Sequence, residues 1–301
     1  MKSRIISFFI AVFVLCAALL GCAGRGNKHA LPEAAGHHPR RIVSLAPTIT
    51  ETLFAIGLDR EIAGVTDYCN YPPEARKKPR TGGLVDQNFE TIIDLKPDLV
   101  IAMPCHAQTV SRLEELGIKT LTIKNETIGD LLGSMLIIGK ATGKERQAEK
   151  LVKTLRGEIE AVRAAHAGTR GKKPRVLIVV GRNPGTLQSI FVAGRNTFFN
   201  QLLTISGGEN VFGDSKKKYI QPSLEEIVLR NPDIIIESRV GKNFSLRELR
   251  QIKNEWNGLG DVAAVKNNRV YIWTEDYAAV PGPRIILLLN KLNMVVNEPR
   301  K

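Results

Sequence analysis

Three sets of residues in this chain have types and spacing that could do chemistry. The first is a pair of glutamates in matching surroundings. Glu90-Thr91-Ile92-Ile93 leads to Pro97-Asp98-Leu99-Val100-Ile101, and Glu225-Glu226-Ile227-Val228 leads to Pro232-Asp233-Ile234-Ile235-Ile236. A carboxylate in a first helical turn is favoured by the helix macrodipole, so each acid is expected to open a helix. The second is His106 beside Cys105, which has the chemistry of an axial metal ligand or else of a lone structural histidine. The third is a set of arginines and aromatics suited to holding a ligand. No catalytic residue and no resident metal or cofactor is expected. The chain has no Gly-x-Ser-x-Gly, His-Glu-x-x-His or Gly-x-Gly-x-x-Gly motif. The stretch from Gly133 to Gly139-Lys140 has one residue too many for a phosphate loop, and Ala141 stands where Ser or Thr is needed, so it reads as helix.

The N-terminus addresses the chain. Lys2 and Arg4 precede an apolar run from Ile5 to Leu20 that closes at Leu19-Leu20-Gly21-Cys22. This is a secretory signal, and the Cys resembles the lipid-modified cysteine of a bacterial lipobox. Residues 1–21 are then a signal peptide and 22–39 a lipid-anchored flexible tether. His37-His38 falls in that tether and reads as solvated. With Cys16 in the signal and Cys22 acylated, Cys69 and Cys105 remain, either as a disulfide of an exported chain or as two buried thiols. The 301 residues carry a net charge of +13, with 43% hydrophobic and 24% charged. That balance is globular and excludes a disordered or multi-span membrane protein. The positive charge suits solubility and anionic headgroups. No nucleic-acid reading element accompanies it.

The elements that must position these residues follow from an internal repeat. The two Glu-to-Ile segments match at a constant offset of 135, and near that offset Arg41-Ile42-Val43 faces Arg175-Val176-Leu177. In each copy a short amphipathic helix stops before Pro and a continuous apolar strand follows, as in a sheet buried on both faces. Strands are predicted at 42–45, 62–65, 99–102 and 120–123 in one lobe, and at 176–180, 234–237 and 270–273 in the other. Helices are predicted at 50–56, 90–95 and 109–116, then at 197–206, 224–230 and 283–296. Ala148, Leu151, Val152, Leu155, Ile159 and Val162 form a helical stripe between the lobes. The expected organisation is an α/β protein of two Rossmann-like lobes with parallel sheets, 40–143 and 171–301, joined by one long backbone helix over 144–170.

Arg41-Ile42-Val43-Ser44-Leu45-Ala46-Pro47-Thr48-Ile49-Thr50-Glu51 resembles the first strand and loop of the extracytoplasmic substrate-binding proteins of ABC importers for cobalamin, haem and ferric siderophores. Asp67-Tyr68-Cys69-Asn70-Tyr71-Pro72-Pro73-Glu74-Ala75 is similar to the second-strand loop of the cobalamin branch, and Pro283-Arg284-Ile285-Ile286 matches too. The resemblance spans about Arg40 to Asn297. It implies the helical-backbone periplasmic-binding-protein fold and a monomer that captures a corrinoid outside the cytoplasmic membrane. It also implies delivery to a permease and its ATPase subunits, with haem or ferric siderophore as the alternative cargo and a secreted α/β enzyme as the remaining class. Ligands of such sheets sit beyond the carboxyl ends of the strands. The expected cleft residues are therefore Pro47, Thr48, Asp67, Tyr68, Tyr71, Leu84, Met103 and His106 in the first lobe, and Arg182, Phe191, Tyr219 and Arg239 in the second. Tyr68, Tyr71, Phe191 and Tyr219 would wall a flat corrin, and Arg182 and Arg239 would meet amide oxygens or a phosphate. An anionic ferric catecholate would instead call on Arg182, Arg239, Lys242 and Arg284, and haem iron or cobalt on His106. The family also pairs glutamates at the positions of Glu90 and Glu225 with permease arginines.

Overall fold

Continuous apolar strands set the architecture. In a computed structural model describing residues 38–168, 171–241 and 243–299, β1 (Ile42–Ser44), β2 (Ile62–Val65), β3 (Leu99–Ala102) and β4 (Thr120–Thr122) form one sheet in the order β2-β1-β3-β4. All its pairings are parallel. Alternate residues of β1 and β3 enter different cores: Ile42, Leu99 and Ile101 pack with Ile49, Leu53 and Ile138, while Val43 and Val100 pack with Leu45, Ile92 and Leu113. Both faces are thus covered, and none of β1 or β3 is exposed.

The second sheet contains β5 (Arg175–Gly181), β6 (Phe191–Ala193), β7 (Glu209–Asn210), β8 (Tyr219–Ile220), β9 (Ile234–Ser238) and β10 (Val270–Trp273), ordered β10-β9-β5-β6-β8 with β7 also on β5. The β10, β9, β5 and β7 pairings are parallel, but β6 runs antiparallel to β5 and β8 antiparallel to β6. The all-parallel expectation for this lobe is corrected to a parallel core with an antiparallel edge. Residues 182–190 make a direct return, which antiparallel strands allow and parallel ones do not.

The repeat has a mechanical explanation. Lys96 and Asn231, at equivalent positions before Pro97 and Pro232, are both left-handed, with φ of 45° and 40°, the conformation that ends a helix, and the proline after each cannot continue it. The next residue ties down the first strand of each sheet. The Asp98 carboxylate accepts from the N–H groups of Arg40 (2.7 Å) and Arg41 (3.0 Å), and that of Asp233 accepts from the Arg175 N–H (2.9 Å). The helices ahead are capped alike. Asn88 accepts from Thr91 N–H at the head of Phe89–Asp94, and Ser223 from Glu226 N–H at the head of Leu224–Arg230.

The described residues divide into two units, one of residues 38–157 with Val280–Arg284, the other of Glu158–Ala279 with residues 285–299. The helix Glu145–His166 contributes to both and buries Ala148, Val152, Leu155 and Ile159. Gly139, in the stretch that mimics a phosphate loop, lies in the helix Ile128–Thr142, where a Cβ would stand 2.4 Å from the Ala148 Cβ. Its role is close helix packing.

Candidate ligand site

In the first unit the loops after β1, β2 and β3 bring together Pro47, Thr48, Tyr68, Tyr71, Leu84, Met103 and His106, each just beyond a strand's carboxyl end or on the loop that follows it. Pro47 opens the helix Pro47–Ala55 at a position where its missing N–H costs nothing. Thr48 is buried and donates its hydroxyl to the Pro281 carbonyl. Tyr68 and Tyr71 remain 37% and 42% exposed, large apolar surfaces offered to solvent. Burial, with the nearby Asp86 and Asp67 carboxylates, raises the Tyr68 phenol above its ordinary range. The Tyr71 ring rests on the Arg284 guanidinium, 3.8 Å from its centroid. Arg284 is itself held by both oxygens of the buried Glu51 carboxylate. Its charge, which the anionic-cargo reading requires, is therefore already countered.

His106 is 2% exposed. Met103 N–H donates to its Nδ1 at 3.1 Å, so Nδ1 is unprotonated and Nε2 carries the proton. A metal on Nε2 would need that proton on Nδ1, so this bond removes axial ligation. Burial holds the ring neutral, lowering its pKa to about 4; the Leu84 carbonyl opposes the shift but does not accept a hydrogen bond from Nε2. Among the described residues, no group of three or more His, Cys, Asp or Glu could hold a metal ion.

The disulfide alternative is also corrected: neither Cys69 nor Cys105 is in a disulfide. The two follow β2 and β3, and β1 lies between those strands. Cys69 is instead fully buried, with the Thr50 and Thr66 hydroxyls each 3.1 Å from its sulfur, and burial pushes its thiol pKa up.

In the second unit the carboxyl ends of β5 and β9 carry a buried ionic network. Arg182 has no exposed surface; it donates to Glu255 (2.5 Å), to Glu237 (3.1 Å) and to the carbonyls of Thr186 and Ile252. It has nothing left to offer a ligand, contrary to expectation. Arg239, 8% exposed, donates through Nε to Glu237 (2.5 Å) and through Nη1 to the Arg182 carbonyl (3.4 Å). Trp256 Nε1 donates to the same Glu237 at 2.7 Å. Phe191 pairs with Gly181 at the end of β5 and stands on this rim. Tyr219 pairs with Ala193, two residues further along β6 and so about 7 Å below the rim. Lys242, Cys22, His37 and the signal and most of the tether lie outside the described residues.

Five buried side-chain atoms among the described residues lack a hydrogen-bond partner: Thr81 Oγ1, His106 Nε2, Arg182 Nε, Ser238 Oγ and Arg239 Nη2. Arg182 Nε still touches Glu237 at 3.0 Å as an ion pair. Such orphans are rare in a fold, and here they are not scattered. Ser238 ends β9 and Arg239 follows it, Arg182 follows β5, His106 follows β3, and Thr81 follows Arg80, which bridges to the last residue of β2. Sequence reasoning placed Ser238 at a strand end but missed Glu51 and Glu237. A carboxylate at the end of the apolar run Ile234-Ile235-Ile236-Glu237 was the available signal.

Comparison with known proteins identifies the family. Residues 42–277 match the family described as Periplasmic binding protein. The chain is 32% identical to an uncharacterized ABC transporter substrate-binding lipoprotein, YvrC, of Bacillus subtilis over 82% of this chain and 77% of that protein. It is 32% identical to a vitamin B12-binding protein of Salmonella typhimurium over 84% and 88%. A solved structure of a possible iron-binding periplasmic solute-binding protein from Staphylococcus epidermidis superposes with a TM-score of 0.73 at 28% identity, covering 87% of this chain and all of that one. The chain belongs to the periplasmic binding protein family, as a non-catalytic substrate-binding protein of an ABC transporter of the vitamin B12, siderophore and haem group.

Proposed function

We propose that the protein captures a corrinoid outside the cytoplasmic membrane, tethered by a lipid on Cys22, and delivers it to an ABC permease through Glu90 and Glu225. The observation that carries the choice of cargo is charge balance among the described residues at the strand ends. A ferric catecholate complex is polyanionic and needs free cations. Arg182 and Arg239 share Glu237 and Glu255, Arg284 is held by Glu51, and His106 is neutral. The exposed aromatic faces of Tyr68 and Tyr71 suit a broad apolar disc whose edge carries uncharged amides. The vitamin B12-binding relative supports the same cargo.

Purified protein incubated in parallel with cyanocobalamin, haemin and a ferric tricatecholate, then separated by gel filtration, should retain the visible absorption of the corrinoid. Retention of haemin or the iron chelate alone would overturn the corrinoid reading and leave the carrier role standing.

A further inference from the structure

Ser238 and Arg239 are adjacent at the carboxyl end of β9, and each has a buried polar atom with no partner, Oγ and Nη2. The rest of Arg239 is fixed: Glu237 holds Nε, and Glu237 is itself locked by Arg182 and Trp256. The Nη2 donor is therefore aimed by a rigid surround and unused. Ser238 is half-buried and Arg239 keeps 8% of its surface, so the pair lies at the carboxyl end of the strand and not in the core.

The charge of the surroundings says what may enter. Arg182 and Arg239 contribute two guanidinium groups, and Glu237 and Glu255 two carboxylates. The cluster is already neutral. A carboxylate or phosphate seated on Nη2 would leave it with a buried net negative charge, which is costly. A neutral carbonyl would supply the missing acceptor lone pairs without a charge, and a donor left bare costs more than the net value of an ordinary hydrogen bond.

We propose that Ser238 Oγ and Arg239 Nη2 form a two-donor subsite for an uncharged amide carbonyl on the edge of the cargo. This rests on the corrinoid reading and deepens it. It makes the side-chain amides, and not the nucleotide phosphate, the groups recognised in the second unit.

The test compares cyanocobalamin with its monocarboxylic acids, in which one side-chain amide is hydrolysed, and with dicyanocobinamide, which lacks the phosphate. Dissociation constants at pH 7 should favour cyanocobalamin over at least one monoacid by about tenfold (1.4 kcal/mol), with cobinamide still bound. Ser238→Ala should weaken cyanocobalamin binding about fivefold with an unchanged melting temperature, and Arg239→Met by tenfold or more. Three results would overturn the subsite: every monoacid binding as tightly as the amide, loss of cobinamide binding with no amide preference, or wild-type affinity in both variants. Absence of corrinoid binding by the wild type would overturn the cargo assignment together with the subsite, whereas corrinoid binding insensitive to Ser238 and Arg239 would overturn the subsite alone.

Discussion

His106 is a titratable group that the fold keeps from titrating. Burial lowers its pKa from the ordinary 6.5 to about 4, so the folded state refuses a proton that the unfolded chain accepts. Above pH 6.5 both states are neutral and the group contributes nothing to the pH dependence. As pH falls from 6.5 toward 4 the unfolded state gains the proton and stability is lost. At pH 4.5 the loss amounts to about 2–3 kcal/mol. Urea unfolding at pH 7 and pH 4.5 should show His106→Asn losing less stability between the two than the wild type does. An equal loss in both proteins would assign the acid sensitivity to other groups. Residue types at the site were readable in the chain, since Tyr68, Tyr71 and His106 stand where strand-end loops were expected. Their electrostatic state was not, because the partners of Arg182 and Arg284 are remote in sequence: Glu237 is 55 residues from Arg182, and Glu51 is 233 from Arg284. A list of arginines reads as a list of free cations until the fold pairs them.

At the scale of elements, the long buried strands and their helices were legible because composition and period agree there. Leu99–Ala102 is wholly apolar, and Ile234–Ser238 is apolar as far as Ile236. The strands that escaped, Phe191–Ala193, Glu209–Asn210 and Tyr219–Ile220, are two or three residues long, too short for any periodicity. They exist because the parallel core offers them an edge. The repeated Pro-Asp pair shows the opposite case, a short signal with a fixed mechanical cause. Asp98 and Asp233 each anchor the amino end of the first strand of their own sheet through main-chain N–H groups. Replacing either with Ala should cost about 1 kcal/mol. The two sites lie in different units and share no partner, so the double variant should lose the sum within about 0.5 kcal/mol. Denaturant titration of the single and double variants measures this. A strongly non-additive double variant would mean that the two clamps are coupled.

For the whole molecule, the repeat matters because it places one acid on each unit. Glu90 and Glu225 are both exposed and both lie in the first turn of their helices. Capping alone would explain them if nothing else capped those helices, but Asn88 and Ser223 already do. Glu225 is held ionised, its carboxyl lowered by its own main-chain N–H and by Ser223. A matched pair of carboxylates, one per unit, suits a two-fold symmetric permease that presents one basic site per subunit. Charges at an interface rim chiefly guide encounter and register, so their loss should leave the cargo equilibrium untouched. Glu90→Ala combined with Glu225→Ala should keep the wild-type dissociation constant for cyanocobalamin and abolish binding-protein-dependent uptake in cells at limiting ligand. Each single variant should be intermediate, and Lys at both positions should be worse than Ala. The exposed Glu114 and Glu115, on the helix Ala107–Glu115, serve as the control pair, whose alanine variants should transport normally. Full uptake by the Glu90→Ala, Glu225→Ala protein would reduce both acids to first-turn residues and leave the permease contact to other surfaces.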